Sequence, residues 1–153
     1  MRLFSTNGRA PVASFRTALV AGLAPDGGLY VPSDLPIVEA GTVASWRQAA
    51  GFDDLASRLA RHWLADEFPP ETIDTLVRSA LDFAVPVRQI DEGLWLLELF
   101  HGPTLAFKDF GARFLARFFG QLLAERKARA TILVATSGDP GSAVARGVWN
   151  VPG

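Results

Sequence analysis

The stretch Glu98-Leu-Phe-His-Gly-Pro-Thr-Leu-Ala-Phe-Lys-Asp-Phe-Gly-Ala-Arg-Phe-Leu-Ala-Arg-Phe-Phe119 decides how the chain is read. An apolar run closes in a Gly-Pro turn, and Lys108 follows Leu105, Ala106 and Phe107 where an apolar pattern of helical spacing begins. The chain holds thirteen arginines but only two lysines, Lys108 and Lys127, so a lysine at this place is a departure from its own habit. Arginine keeps its proton, whereas a desolvated lysine shifts its pKa readily and can form a Schiff base. A lysine whose apolar stem snorkels at an element boundary explains the same residues. From this stretch alone both readings stay open.

Working outward, 153 residues suit one ordinary domain, or a small domain with part of a larger one. The chain is 49% hydrophobic and 20% charged, which fits a globular fold and not a disordered one. A net charge of −1 provides no basic footprint for nucleic acid and no polybasic address for membranes. There is no cysteine, which excludes disulfides and thiolate metal sites and fits a cytoplasmic protein. No apolar run has the length of a secretory signal or a membrane span. His62 and His101 lie far apart, and neither has metal-ligand spacing around it.

Upstream, Arg2 to Thr6 reads as a short strand and Asn7-Gly8 as a turn. Ser14 to Gly22 reads as a short helix with Phe15, Ala18 and Leu19 on one face and Gly22 at its end. A Pro25-Asp-Gly-Gly turn then leads to a brief strand at Leu29 to Val31. Leu35 to Asp82 is expected to be helical. Asp53 is the expected N-cap of a helix whose stripe is Leu55, Ala56, Leu59, Ala60, Trp63 and Leu64. Pro69-Pro70 ends that helix and starts another, with Ile73, Leu76, Val77, Ala80 and Leu81 on one face. Trp46, His62 and Trp63 are read as core or helix-surface packing.

From Val85 the pattern turns to strands, first Val85-Pro-Val and then Leu94-Trp-Leu-Leu-Glu-Leu. The helix from about Asp109 to Arg126 has Phe110, Phe114, Leu115, Phe118, Leu122 and Leu123 as its expected buried stripe. Arg113 and Arg117 are assigned to its wet face, although either would reach a phosphate. His101 is read as a turn histidine bonded locally, with substrate-phosphate binding as the alternative. Thr131-Ile-Leu-Val-Ala reads as a strand of a parallel sheet, followed by Thr136-Ser-Gly-Asp-Pro-Gly-Ser and another helix. Strand, helix, strand, glycine loop, helix is the opening of an open α/β sheet, and too few strands follow to complete one. An open sheet of so few strands is expected to expose an edge and an apolar face.

The loop after residues 131–135 lies where open sheets bind ligands, outside the carboxyl ends of strands. Gly138 and Gly141 allow close backbone approach, and Thr136, Ser137 and Ser142 add hydroxyls at a helix N-terminus. The loop has neither Walker nor dinucleotide spacing, and an ordinary capped glycine turn is the competing reading. If the two strands are neighbours, Lys108 and this loop meet at one sheet edge. That is the arrangement a pyridoxal phosphate enzyme needs: a lysine for the aldehyde and an anion cradle for the substrate carboxylate.

Three blocks resemble the threonine synthase family, pyridoxal-phosphate enzymes of the tryptophan-synthase-β fold group. They are Ser5-Thr-Asn-Gly with Ser14-Phe and Gly22-Leu-Ala-Pro-Asp-Gly-Gly-Leu-Tyr-Val-Pro32, the Glu98 to Phe119 stretch, and Leu133-Val-Ala-Thr-Ser-Gly-Asp-Pro-Gly-Ser-Ala143. They span nearly the whole chain in matching order. The resemblance implies conversion of O-phospho-L-homoserine and water to L-threonine and phosphate, with pyridoxal 5'-phosphate as electron sink. It implies that Lys108 holds the cofactor aldehyde as an imine and shuttles protons at Cα and Cβ. Ser137, Gly138 and Asp139 match the loop that receives the substrate carboxylate, and Asp139 lies toward the cofactor hydroxyl. Phe107 and Asp109 are expected to be positioning residues.

Two departures qualify the resemblance. Pro140 stands where the family has Thr, removing a hydroxyl and an N–H from the anion loop. Family members are also much longer, so the resemblance implies an N-terminal portion. Residues 1–93 form a small α+β domain, and 94–153 the first strands and helices of an open, mostly parallel catalytic sheet, α/β in class. The expected partners are the small substrate and either the remaining portion or a second copy. A related phospho-lyase and a non-catalytic interaction module are the other functions weighed, and this chain alone is expected to be inactive.

Overall fold

The computed structural model describes all 153 residues. They form two compact units, Met1–Thr75 and Leu76–Gly153. The class is α/β, with six helices and two small antiparallel sheets.

In the first unit, β1 (Arg2–Ser5) is the middle strand between β2 (Ala13–Ser14) and β3 (Tyr30–Pro32). Its pleat buries Leu3 and Ser5 and turns Arg2 and Phe4 outward. One carboxylate ties the loops of this sheet. Asp26, in the Pro-Asp-Gly-Gly turn, accepts the Ser5 hydroxyl at 2.6 Å, the N–H groups of Arg9 and Ala10 at 2.9 Å, and that of Gly28 at 3.1 Å. The Ser5 hydroxyl, joined by these backbone donors, lowers Asp26 from 3.8 to about 2 against the pull of desolvation.

Helix α1 (Phe15–Ala21) starts and stops where its sequence says. The Ser14 hydroxyl accepts the Thr17 N–H at 3.1 Å, and Gly22 ends the helix at φ 73°. Helices α2 (Ala40–Trp46), α3 (Phe52–Leu64) and α4 (Pro70–Ala80) follow. The N-cap of α3 is Gly51, not Asp53; Asp53 and Asp54 sit inside the first turn, where a carboxylate complements the helix dipole. Asp54 also accepts the Ala50 N–H from the preceding loop at 3.1 Å. Ala60, Leu64, Phe68 and Ile73 are buried, whereas Leu55 and Leu59 of the expected stripe are exposed. Each fully buried Phe or Ile contributes about 1.5–3 kcal/mol. Trp46 and His62 meet edge to face at 5.8 Å, a packing role as expected.

In the second unit, β4 (Val87–Asp91) and β5 (Leu94–Leu97) make an antiparallel hairpin through Gly93, φ 71°. The strand therefore begins two residues later than Val85. All residues of both strands are exposed, so neither face of the hairpin is covered. Helix α5 (Lys108–Glu125) carries α6 (Asp139–Val148) along its side. Ala116, Phe118, Leu122, Leu123 and Ala143 are buried. The helices approach closely enough that a Cβ on Gly147 would lie 3.1 Å from the Ala112 carbonyl oxygen. Leu115, expected in the stripe, is exposed.

Two expectations are corrected here. Residues 131–135 form no strand and are exposed throughout. β5 pairs only with β4, so no neighbouring strand offers 131–135 a ladder; a parallel strand is defined by such a neighbour across a crossover. Arg113 does not face water, being only 4% exposed. Its Nε donates to the Ala80 carbonyl at 2.5 Å, and its Nη2 to the Ser79 carbonyl at 3.0 Å and the Asp82 carboxylate at 2.6 Å. The last carbonyls of α4 have no partner within their helix, and a guanidinium fork satisfies two of them at once.

Two outcomes follow for stability. Asp26 has a lowered folded-state pKa, so its contribution is complete above about pH 4 and is lost as pH falls toward about 2. Thermal melts of wild type and Asp26→Asn should differ at neutral pH and converge near pH 2. Arg113→Met should cost about 2 kcal/mol or more in urea unfolding, because it strands two carbonyls at the end of α4; a change below about 0.5 kcal/mol would contradict this account.

Candidate functional site

Lys108 is the first residue of α5 and is half-buried. Its ammonium lies 4.6 Å from the centre of the Phe107 ring, and it makes no ion pair or hydrogen bond. An amine so placed stays available to a ligand carbonyl, which fits a cofactor lysine and is not the geometry of a structural salt bridge. Burial is apolar around it in sequence: Ala106 is buried, while Phe100, Leu105 and Phe107 expose much of their surface.

The loop that delivers Lys108 is held from below. Asp109, fully buried at 0% exposure, accepts the Thr104 N–H on Oδ2 and the Thr104 hydroxyl on Oδ1, both at 2.8 Å. Leu105 donates its N–H to the Gly102 carbonyl at 3.0 Å and lies at φ 57°, a left-handed conformation rare for leucine. Such strain costs about 1–3 kcal/mol and persists where neighbours over-determine the backbone. Sequence reasoning placed Asp109 beside the lysine but missed Gly102 and Thr104; Gly-Pro-Thr five residues before a helix-start aspartate was the available signal.

Before the loop, Glu98 is buried and bridges a guanidinium and an imidazole. Its Oε1 meets Arg88 Nε at 2.8 Å and its Oε2 meets His101 Nε2 at 2.6 Å. His101 also stacks on Phe100 at 4.7 Å. This is the locally bonded turn histidine that the sequence suggested.

Ser137 and Gly138 lie in the loop before α6, and Asp139 is its first residue. Gly138 is the N-cap at φ 158° with open space where a side chain would stand. Thr136 Oγ1 accepts the N–H groups of Gly138 at 3.3 Å and Gly141 at 3.2 Å, drawing the loop into a compact turn. Pro140 falls in the first turn of α6, where a helix tolerates proline because that N–H has no intrahelical partner. It therefore removes one backbone N–H from the loop without breaking the helix.

Lys108 and this loop belong to the same unit, but no hydrogen bond joins them. An apolar cavity of about 200 Å³ lies between α5 and the segment after α6, lined by Ala116, Phe119, Gly120 and Val151 among others, and by none of the candidate residues. Arg117, the other arginine of α5, donates to the Gly147 carbonyl at 3.2 Å. Burial lowers its pKa, helped by the nearby charge of Arg113.

Three comparisons bear on this geometry. The family described as "Threonine synthase N terminus" matches residues 2–81. Threonine synthase of Pseudomonas aeruginosa is 43% identical over 152 residues, covering 96% of this chain and 32% of that protein. The crystal structure of pyridoxal-phosphate-bound threonine synthase from Brucella melitensis superposes with a TM-score of 0.92 at 40% identity, covering 99% of this chain and 33% of that one. Threonine synthase from Escherichia coli follows at 0.88 and 36%, covering 99% and 35%. The chain spans about a third of the length of the relatives it matches.

The strain at residue 105 gives a direct test of how tightly this loop is set. Leu105 is 75% exposed, so little burial is lost on replacement. Leu105→Asn should stabilise the chain by about 1 kcal/mol, since Asn accepts the left-handed conformation more readily. Urea unfolding measures it, and a loss of stability would mean that the leucine side chain is needed where it stands.

Proposed function

The chain belongs to the threonine synthase family, and from that premise we propose that it carries the cofactor lysine and the substrate-carboxylate loop of that activity. The reaction is the conversion of O-phospho-L-homoserine and water to L-threonine and phosphate. The observation that supports it best is Lys108: a half-buried amine without an anionic partner, at a helix start, on a loop held by a buried carboxylate. We place the N-terminal domain at residues 1–93 and the start of the catalytic portion at Leu94, where the strand leading to Lys108 begins.

Pyridoxal phosphate, when bound, supplies an electron sink for charge developing on the substrate carbons. Lys108 would hold it through Nζ and, once freed, take and return protons at the substrate Cα and Cβ. The N–H groups and hydroxyl of Ser137 to Asp139 would bind the substrate carboxylate and so turn the Cα proton toward Lys108. Asp139 would stand next to the cofactor. Pro140 leaves this cradle one N–H short of a threonine at the same place, a difference of roughly 1.5–3 kcal/mol if that donor met a carboxylate.

Relatives three times as long supply residues that these 153 do not, so the chain by itself is proposed to capture cofactor without turnover. The proposed partners are the phosphorylated amino-acid substrate and a polypeptide corresponding to the rest of those relatives. The cytoplasm is the proposed location.

The test is the absorbance spectrum of the purified chain with pyridoxal phosphate, before and after borohydride, against Lys108→Ala. A visible-range lysine–aldehyde band is expected in wild type and should disappear in the variant. A band that survives Lys108→Ala would assign the cofactor elsewhere. Assaying the cofactor-loaded chain on O-phospho-L-homoserine for threonine, phosphate and 2-oxobutyrate separates a synthase from a phospho-lyase and from a chain that only binds.

A further inference from the structure

We propose that Asp109, Thr104 and Gly102 form a clamp that fixes the backbone at Lys108 and makes that lysine, rather than Lys127, the one that condenses with a cofactor aldehyde. Asp109 is then a positioning residue. The inference rests on the reading of Lys108 as the cofactor lysine and adds the part of the loop that selects it.

A carboxylate with no exposure is costly unless it is hydrogen-bonded, and Asp109 takes both its hydrogen bonds from one residue of the preceding loop. Capping does not explain it. An N-cap side chain lies outside its helix and accepts N–H groups from inside it, whereas Asp109 is inside α5 and accepts from Thr104 outside. Helical side chains tilt toward the N-terminus, so the carboxylate reaches back over the 102–104 turn. Lys108, one residue earlier and about 100° around the axis, leaves on another side. The carboxylate occupies the space that a Cβ on Gly102 would need, with Asp109 Cβ at 2.7 Å and Cγ at 2.9 Å from that position. Glycine at 102 is therefore required by close approach and not by its own backbone angle.

The same clamp accounts for the strained leucine. Residue 105 is enclosed between the Thr104 N–H bound to Asp109, the Leu105 N–H bound to Gly102, and the Asp109 N–H bound to Ala106 at 3.0 Å. With these three bonds in place the approach to Lys108 has one path. Lys127 has no buried carboxylate beneath it; it is exposed, just past the end of α5, in a turn at φ 50° closed only by its own N–H on the Ala124 carbonyl at 3.1 Å and that of Ala128 on the Leu123 carbonyl at 2.9 Å. The two lysines thus give an internal comparison within one molecule.

The experiment labels the whole chain with pyridoxal phosphate. A lysine Nζ adds to the aldehyde carbon, water leaves, and hydride from borohydride reduces the C=N bond to a stable secondary amine. Digestion and mass spectrometry then give the ratio of label on Lys108 to label on Lys127. Thr104→Val removes the hydroxyl at nearly constant shape, Thr104→Ser restores it, and Gly102→Ala puts a methyl group where the carboxylate lies. Helix content is checked by circular dichroism at the labelling temperature.

Wild type is expected to favour Lys108, and Thr104→Val and Gly102→Ala to lower the ratio by about tenfold, the scale of a lost hydrogen bond to a charged group. Thr104→Ser is expected to stay within about twofold of wild type, since its donor to Asp109 is retained. A wild-type ratio near one would overturn both the clamp and the reading of Lys108. A wild-type preference that Thr104→Val and Gly102→Ala leave intact would overturn the clamp alone, as would failure of Thr104→Ser to restore the ratio. If Gly102→Ala loses its helices, the valine and serine pair still decides.

Discussion

Arg113 places a permanent charge where almost no water reaches and surrounds it with oxygen from the end of α4. Two carbonyls that the helix leaves over, together with the Asp82 carboxylate, supply what solvation would have supplied. A guanidinium so enclosed cannot shift along its partners, because its donors leave in fixed directions. Within the second unit, residues 79–82 are therefore tied to α5. Phe83 reinforces this by meeting Phe110 edge to face at 4.9 Å and lying beside the Arg113 cation.

Helix α5 then works as a spine with a different attachment along its length. At its start Asp109 holds the loop carrying Lys108; one turn later Arg113 holds the end of α4. Small residues on either side of Arg113 let α6 and the following segment lie close, with Gly147 against Ala112 and Gly120 against Val151. Such contacts are stiff because they involve backbone or fully buried groups, where close packing leaves no slack. A lysine at the head of this spine inherits a defined position without being bonded itself. That would suit the proposed cofactor lysine, whose work would be to exchange partners.

The hairpin and residues 131–135 show the opposite condition. Val87, Ile90, Leu94, Trp95, Leu96 and Leu97 are exposed, as are Ile132, Leu133 and Val134. A two-stranded hairpin is marginal on its own, and sheets gain their stability from a third strand or a covering helix. The family relatives are about three times as long, and their solved structures match this chain closely over its whole length.

Local chemistry was legible without coordinates. Ser14 and Gly22 bound α1 as their types require, Asn7-Gly8 and Pro25 to Gly28 turn the chain, and Pro70 opens α4. The family, too, is carried by short motifs in order, and so is the candidacy of Lys108, Ser137, Gly138 and Asp139. These features depend on residues a few positions apart. Arg113 was misplaced because helical period names a face but not what stands opposite, and its partners are 31 to 34 residues away. Thr104 went unnoticed because its importance comes from a buried carboxylate, and burial is a property of the whole fold. The strand at 131–135 was inferred from composition, yet a strand exists only with a neighbour to share its hydrogen bonds. Sequence alone determined the helices and turns, the family and the reactive groups on offer; tertiary structure decided which apolar runs pair as strands, which charges are enclosed and which apolar segments stay bare, because dehydration and pairing depend on residues brought together from far along the chain.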